Sequence, residues 1–245
     1  MYMISKTSKC LPVIGLLIAQ SLSADEQLHW RAEAQLGILD SKGEKHDRTM
    51  NGRLRLQSEN DLWRNDTRAQ FLQTRTDGEL TKENYSLSHQ VDYRWTERFY
   101  SLAFARYERN PFATFGKEYD LLGGVGYRVI KEAATEWDLE AGLGTKITER
   151  SAPPQEKENS LLRRAASKVS HDLTENLRLR QEIIYDETRD ANEWRLLHSF
   201  AVRANEFFSL SISHEWKRVD DTVTNVQEVD RITTLNLVFD WDGRR

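Results

Sequence analysis

The side chains in this chain best suited to acid–base chemistry are its six histidines, His29, His46, His89, His171, His198 and His214. A serine–histidine pair facing a bilayer could hydrolyse lipid, and His89, His198 and His214 fall on the apolar parity of their segments. A hairpin turning at Asn205 would set His198 opposite Ile212 and diagonal to His214. No His-x-Ser occurs, however, because the residues two positions after the histidines are Arg31, Arg48, Val91, Leu173, Phe200 and Trp216. Ser199 and Ser213 alternate with His198 and His214 and therefore face the other way, so a nucleophile is not given its base locally. Two histidines make a poor metal site, and there is no His-Glu-x-x-His, calcium-loop carboxylate spacing or phosphate-cradling glycine loop. No cofactor, metal or catalytic residue is expected, and lipid modification through His198 or His214 is the weakest of the readings below.

The remaining chemically capable residues are charges set in alternation. In Trp137 to Ile147 the odd residues could face lipid, while Asp138, Glu140 and Lys146 could face only water or one another. Taking the polar parity of each segment as inward gives Arg31, Arg53, Arg55, Arg64, Arg68, Arg94, Arg128, Lys146, Arg164, Lys168, Arg178, Arg180, Arg195, Arg203 and Lys217. Ten acids share that face: Glu33, Asp66, Asp92, Asp120, Asp138, Glu140, Glu182, Asp186, Glu215 and Asp240. The excess, near +5, would focus a field that concentrates anions. Arg53, Arg55, Arg68, Arg128, Arg178, Arg180 and Arg195 would supply it, with Asp66, Asp92, Glu140 and Glu182 orienting them. The alternative is that arginine forks and carboxylates pair across the interior and plug it. Segments five and eight leave their facing open.

Such a face needs strands to present it. Alternation of period two marks twelve of them, near 28–39, 47–58, 62–74, 83–95, 98–109, 118–130, 136–149, 160–170, 176–187, 192–204, 206–217 and 231–242. An even number of antiparallel strands closing up-and-down gives a transmembrane β-barrel, in which no strand edge is left in lipid. Glu59 to Asp61, Thr96-Glu97, Lys131 to Thr135, 171–175 and Asn205 read as short periplasmic turns. Asn110 to Lys117, Arg150 to Asn159 and Arg218 to Asp230 read as longer outer loops. On that orientation Trp30, Trp63, Trp95, Trp137 and Trp241 fall at the periplasmic rim and Trp194 and Trp216 at the outer rim, which is the placing of two aromatic girdles. Gly142 and Gly144 would face inward beside Gly124 and Gly126, leaving a gap that is the best candidate for a water path.

Ahead of the strands, Lys6 and Lys9, the apolar run Leu11 to Ala19 and Ser21-Leu22-Ser23-Ala24 read as a cleavable secretory signal over 1–24, leaving the barrel to 25–245. The run is too short to span a bilayer as a helix. Cys10, the one cysteine, would leave with it. The full chain carries −4, and loss of two lysines makes the remainder −6, a balance that gives no reason to expect nucleic acid. The final segment, Leu235 to Trp241, keeps alternation and aromatics and looks like the recognition strand used by barrel-assembly machinery.

Particular stretches carry a family likeness: Trp30 to Gly37; Arg106-Tyr107 with Asn110-Pro111-Phe112; Leu121 to Arg128, containing Gly123-Gly124-Val125-Gly126; and Glu140 to Gly144. On these the chain resembles the YdiY-like family of salt-induced outer-membrane proteins. It departs from them after Asp40, where Lys42-Gly43-Glu44-Lys45 replaces a Gly-Asn-rich turn. The resemblance implies a barrel in the bacterial outer membrane and a connection to osmotic stress, and brings no catalytic residues. The expectation is a non-enzymatic barrel in contact with outer-membrane lipid, working as a narrow channel that prefers small anions. The runner-up is a closed structural or interaction barrel with a plugged lumen.

Overall fold

Twelve strands, and no helix, organise the computed structural model, which describes residues 28–42, 46–151, 157–222 and 225–242. In chain order they are β1 (His29–Lys42), β2 (His46–Glu59), β3 (Trp63–Thr76), β4 (Glu79–Arg94), β5 (Phe99–Arg109) and β6 (Phe115–Lys131), followed by β7 (Thr135–Arg150), β8 (Lys157–Thr174), β9 (Leu177–Glu187), β10 (Ala191–Arg203), β11 (Phe208–Asp221) and β12 (Val226–Asp242). Each pairs antiparallel with its neighbour in sequence, and β1 pairs with β12 to close the barrel. Closure gives every strand a hydrogen-bonded partner on both sides, so no edge is exposed. The expected signal peptide over 1–24 lies outside the described residues.

The barrel is apolar outside. Leu36, Leu121, Leu143, Leu161 and Leu235 are among the most exposed side chains, Leu121 at 62%. Buried apolar side chains are few, and four of them form a small cluster inside the barrel, Tyr100, Leu102, Leu122 and Leu162, with Phe104 against it. A water-soluble barrel would invert this distribution, because exposed leucine in water forfeits the transfer free energy that burial supplies.

Most strands run further than their alternation predicts. β3 and β4 meet in a two-residue turn at Asp77-Gly78, both at positive φ (53° and 87°), as a tight hairpin requires. β11 continues to Asp221 and β12 begins at Val226, inside the stretch read as a loop over 218–230. The β5–β6 connection shrinks to 110–114. The expected contrast between short and long connections is therefore small. At the upper end, away from the start of β1, both faces of the strands are polar, which erases the period-two signal while leaving backbone pairing intact. Trp30, Trp63 and Trp241 lie at the lower ends of β1, β3 and β12, Trp95 just beyond β4 and Trp137 near the start of β7. Trp194 and Trp216 lie in the upper halves of β10 and β11.

Candidate functional site

Strand register decides which charges meet inside. The fifteen cations read as inward all lie on the inner face, as do nine of the acids; the side chain of Asp240 is outside the described residues. Register adds cations such as Lys82, Arg106, Lys131 and Arg150, and a larger set of acids, among them Asp47, Glu59, Glu108, Glu118, Glu136, Glu158, Asp172, Glu193, Asp221, Glu228 and Asp230. The added acids outnumber the added cations by enough to remove the predicted excess near +5, so the lumen carries no net positive charge. The omitted groups sit on β5, where both parities are largely apolar, or towards strand ends, where both are polar.

The upper lumen is closed by a network of five cations and five acids. Arg106 Nη2 lies 2.7 Å from Asp120 and Arg106 Nη1 lies 3.1 Å from Glu108. Lys146 Nζ meets Glu118 at 2.6 Å and Glu193 at 3.3 Å. Arg164 joins Asp120 at 3.0 Å to Asp186 at 2.6 Å, and Arg195 contacts Glu193 and, at 3.6 Å, Glu108. Lys217 reaches Glu108 at 3.1 Å. That last pair joins β11 to β5, six places away round a ring of twelve, and so spans the lumen at its full width. Burial of Asp120 (3%) and Asp186 (1%) is tolerable only because each carboxylate has an arginine beside it.

A second partition crosses the middle. Arg68 Nη1 on β3 donates to Glu182 on β9 at 2.9 Å, again six strands apart, while its Nη2 and Arg55 Nη2 hold Asp66 at 3.1 and 2.6 Å. Lys168 Nζ bonds Glu140 at 2.7 Å and Gln90 at 3.2 Å. The lumen above this partition is a cavity of about 190 Å³ and below it one of about 200 Å³. Arg68, Asp66, Gln90, Lys168 and Glu182 line both. Further down, Arg64 bridges Asp92 (2.6 Å) and Asp138 (3.2 Å), Arg128 also holds Asp138 (2.9 Å), and Arg180 holds Glu33 (2.7 Å). Arg53 pairs with Glu215 at 2.6 Å and Arg178 with Asp172 at 2.5 Å. A wider vestibule of about 510 Å³, lined in part by Arg64 and Arg128, opens at the lower end.

The expected glycine gap is filled. Tyr100 faces inward from β5 and lays its ring against Gly126, while Leu122 occupies the space over Gly142 and Gly144. Tyr100 then donates its hydroxyl to Glu140 at 3.0 Å. Gly126 and Gly142 make room for side chains from neighbouring strands, and Gly124 and Gly144 for the close approach of the β6 and β7 backbones.

His198 is directly opposite His214, not Ile212, because the β10–β11 connection spans 204–207 and shifts the register by two. Both face outward, and His214 Nδ1 is 2.9 Å from Thr233 Oγ1. His89 with Thr67 and His171 with Thr135 repeat this arrangement at 2.8 Å. Ser199 and Ser213 are buried on the lumen side, where they bond each other at 3.2 Å. The histidines thus have threonine or histidine neighbours and the serines have each other, so neither serine contacts an imidazole.

A family model described as "Protein of unknown function, DUF481" matches residues 34–241. The chain belongs to this family. That assignment is compatible with the YdiY-like resemblance. No curated protein matches the chain. Among solved structures, this DUF481 barrel is similar to the translocator domain of the autotransporter NalP from Neisseria meningitidis, at 10% identity over 87% of this chain and 88% of that one, with a TM-score of 0.49. It is also similar to the NanC porin, at 10% identity over 86% and 98% with a TM-score of 0.46. The outer membrane channel DcaP of Acinetobacter baumannii follows at 8% over 89% and 97%, with 0.42. Likeness at that level leaves the functional reading to the DUF481 barrel's own side chains.

In this DUF481 member five of the residues expected to carry the interior, Arg53, Arg128, Arg178, Arg180 and Asp92, form pairs outside the two partitions, and the rest belong to them. Arg55, Asp66, Arg68, Glu140 and Glu182 meet in or beside the middle one. Arg195 is the only one of them in the upper network, whose centre, Arg106, sequence reasoning missed. The Arg106–Asp120 pairing across β5 and β6 was recoverable from the hairpin, had Leu102 and Phe104 been allowed to face inward.

Proposed function

We propose that this protein is a non-enzymatic barrel of the bacterial outer membrane whose lumen is closed at rest by two transverse ion-paired partitions. One observation carries the reading: Lys217–Glu108 at 3.1 Å and Arg68–Glu182 at 2.9 Å each join strands on opposite sides of the barrel. The exposed leucine exterior and the rim tryptophans support a lipid setting. In that setting the lower end is periplasmic, β12 is the strand offered to the assembly machinery, and outer-membrane lipid is the constant partner.

The refolded barrel in a planar bilayer tests the closed state. No steady current is expected from a demonstrably folded preparation, and reproducible unitary conductance from the unaltered chain would sink the reading.

A second reading, a narrow channel preferring small anions, keeps one observation. The chamber of about 200 Å³ is lined by Arg31, Arg53, Arg55, Arg64, Arg68, Lys168, Arg178 and Arg180 against only Glu33, Asp66, Asp92, Glu136, Asp138 and Glu182. Anion-selective opening events would favour it. A connection to salt or osmotic stress rests on the family resemblance, and growth of a deletion strain in high salt is its test.

A further inference from the structure

The chamber between the two partitions has two unlike walls. On β3 and β4, Gln70, Ser86 and Ser88 line it, and their side chains make no hydrogen bond among the described residues. Straight across, six strands round the ring, Ile184 on β9 and Leu197 on β10 present aliphatic surface. Phe104 on β5 adds a ring, one side of which is covered by the Arg164 guanidinium at 4.4 Å. The charges at the two ends are already committed to one another: Arg68 to Glu182 and Asp66 below, Lys217 and Arg106 to Glu108 above.

We infer that this chamber binds a small neutral polyol with one apolar face, a pyranoside being the simplest example. Its hydroxyl edge meets the amide and hydroxyls of Gln70, Ser86 and Ser88, and its C–H face packs on Ile184, Leu197 and Phe104. A few well-placed polar groups opposite an apolar surface are the usual make-up of a small-molecule site. The chemistry selects against the two nearest alternatives. An ion would have to break an existing pair to gain a partner, leaving a counter-charge stranded. A wholly apolar molecule would shut Gln70 and both serines away from any hydrogen-bonding partner. The cavity, about 190 Å³, is of a size to hold a small molecule.

The inference rests on the closed-lumen reading in that the partitions bound the chamber. The test uses the refolded barrel in amine-oxide micelles, with folding checked by the heat-dependent shift in gel mobility. Saturation-transfer NMR titrations follow methyl β-D-glucopyranoside, sodium gluconate and cyclohexanol. Only the glucopyranoside is expected to bind saturably. Gln70→Leu and Ser88→Val are each expected to weaken it about three- to tenfold, the equivalent of one neutral hydrogen bond. Leu197→Asn should weaken it as well, by removing the apolar face without touching the polar wall. No binding up to roughly 0.1 M, weaker than a specific site should be, overturns the inference. Equal binding of gluconate or cyclohexanol, or glucopyranoside binding indifferent to Gln70→Leu, also overturns it. Bilayer recordings on the same preparation separate the two readings: silence without binding removes the sugar site and leaves the closed barrel, whereas steady conductance with Gln70-dependent binding does the reverse.

Discussion

Arg106 is surrounded by more carboxylates than any charge balance at one residue would ask for: Asp120 at 2.7 Å, Glu108 at 3.1 Å, Glu118 at 3.8 Å and Glu193 at 3.9 Å. Lys146, Lys217, Arg164 and Arg195 make up the balance from other strands. Removing one partner of such a buried network leaves the others desolvated and unpaired, which costs about 3–5 kcal/mol. Arg106→Met is therefore expected to lower the unfolding free energy of the refolded barrel, read from urea titration, by that much. Arg163→Met, which breaks an exposed outward pair with Glu187 at 3.3 Å, should shift it by less than about 1 kcal/mol. Comparable losses in the two variants would mean that the network contributes no more than surface charge. That Arg106 escaped sequence reading has a plain cause. Phe99 to Ala105 is apolar at nearly every position, so parity on β5 gave no face to prefer. On β9, by contrast, Arg178, Arg180 and Glu182 alternate with Leu177, Leu179 and Gln181, and their inward facing was legible at once.

At the scale of the strand, glycine placement shows what alternation can and cannot reveal. Gly124, Gly126, Gly142 and Gly144 were readable as inward from parity, yet what occupies the space beside them depends on β5 and on Leu122, which parity did not settle. A Cβ at Gly126 would run into the Tyr100 ring, whereas one at Gly123, on the outer face, would meet only the Leu102 carbonyl at 3.9 Å. Gly126→Val is thus expected to prevent the heat-dependent mobility shift of the folded barrel, or to displace Tyr100 at a cost of about 1–3 kcal/mol. Gly123→Ala should fold as the parent does. The hairpin at Asp77-Gly78 offers a milder test. An alanine at φ 87° is strained, so Gly78→Ala should destabilise by about 1 kcal/mol or somewhat more in urea titrations. Asp-Gly between alternating segments was the available signal for that turn, and it would have extended β3 and β4 to their observed ends.

For the whole molecule, the number of strands and their up-and-down order follow from a repeat of two along one chain, which is why twelve strands could be counted before any contact was known. Which charge meets which across the lumen follows instead from how far the strands are staggered round the ring, and no local pattern encodes that. The closed lumen can be interrogated by removing one sign of charge at both partitions. Arg68→Ala with Lys217→Ala takes away the two cations that span it and leaves Glu182, Asp66 and Glu108 undercompensated. Glu182→Ala with Glu108→Ala takes away the facing acids and leaves Arg68, Lys217 and Arg106 in excess. Both doubles shorten the same two obstructions, so both are expected to conduct where the parent is silent. The low-dielectric wall focuses whatever charge remains, so the first should pass cations and the second anions. Reversal potentials in a potassium chloride gradient read the sign directly. Opposite signs would place the current in the lumen between the partitions. The same sign in both doubles would mean that ions travel by some other route, and that the pairs spanning the barrel hold it together without holding it shut.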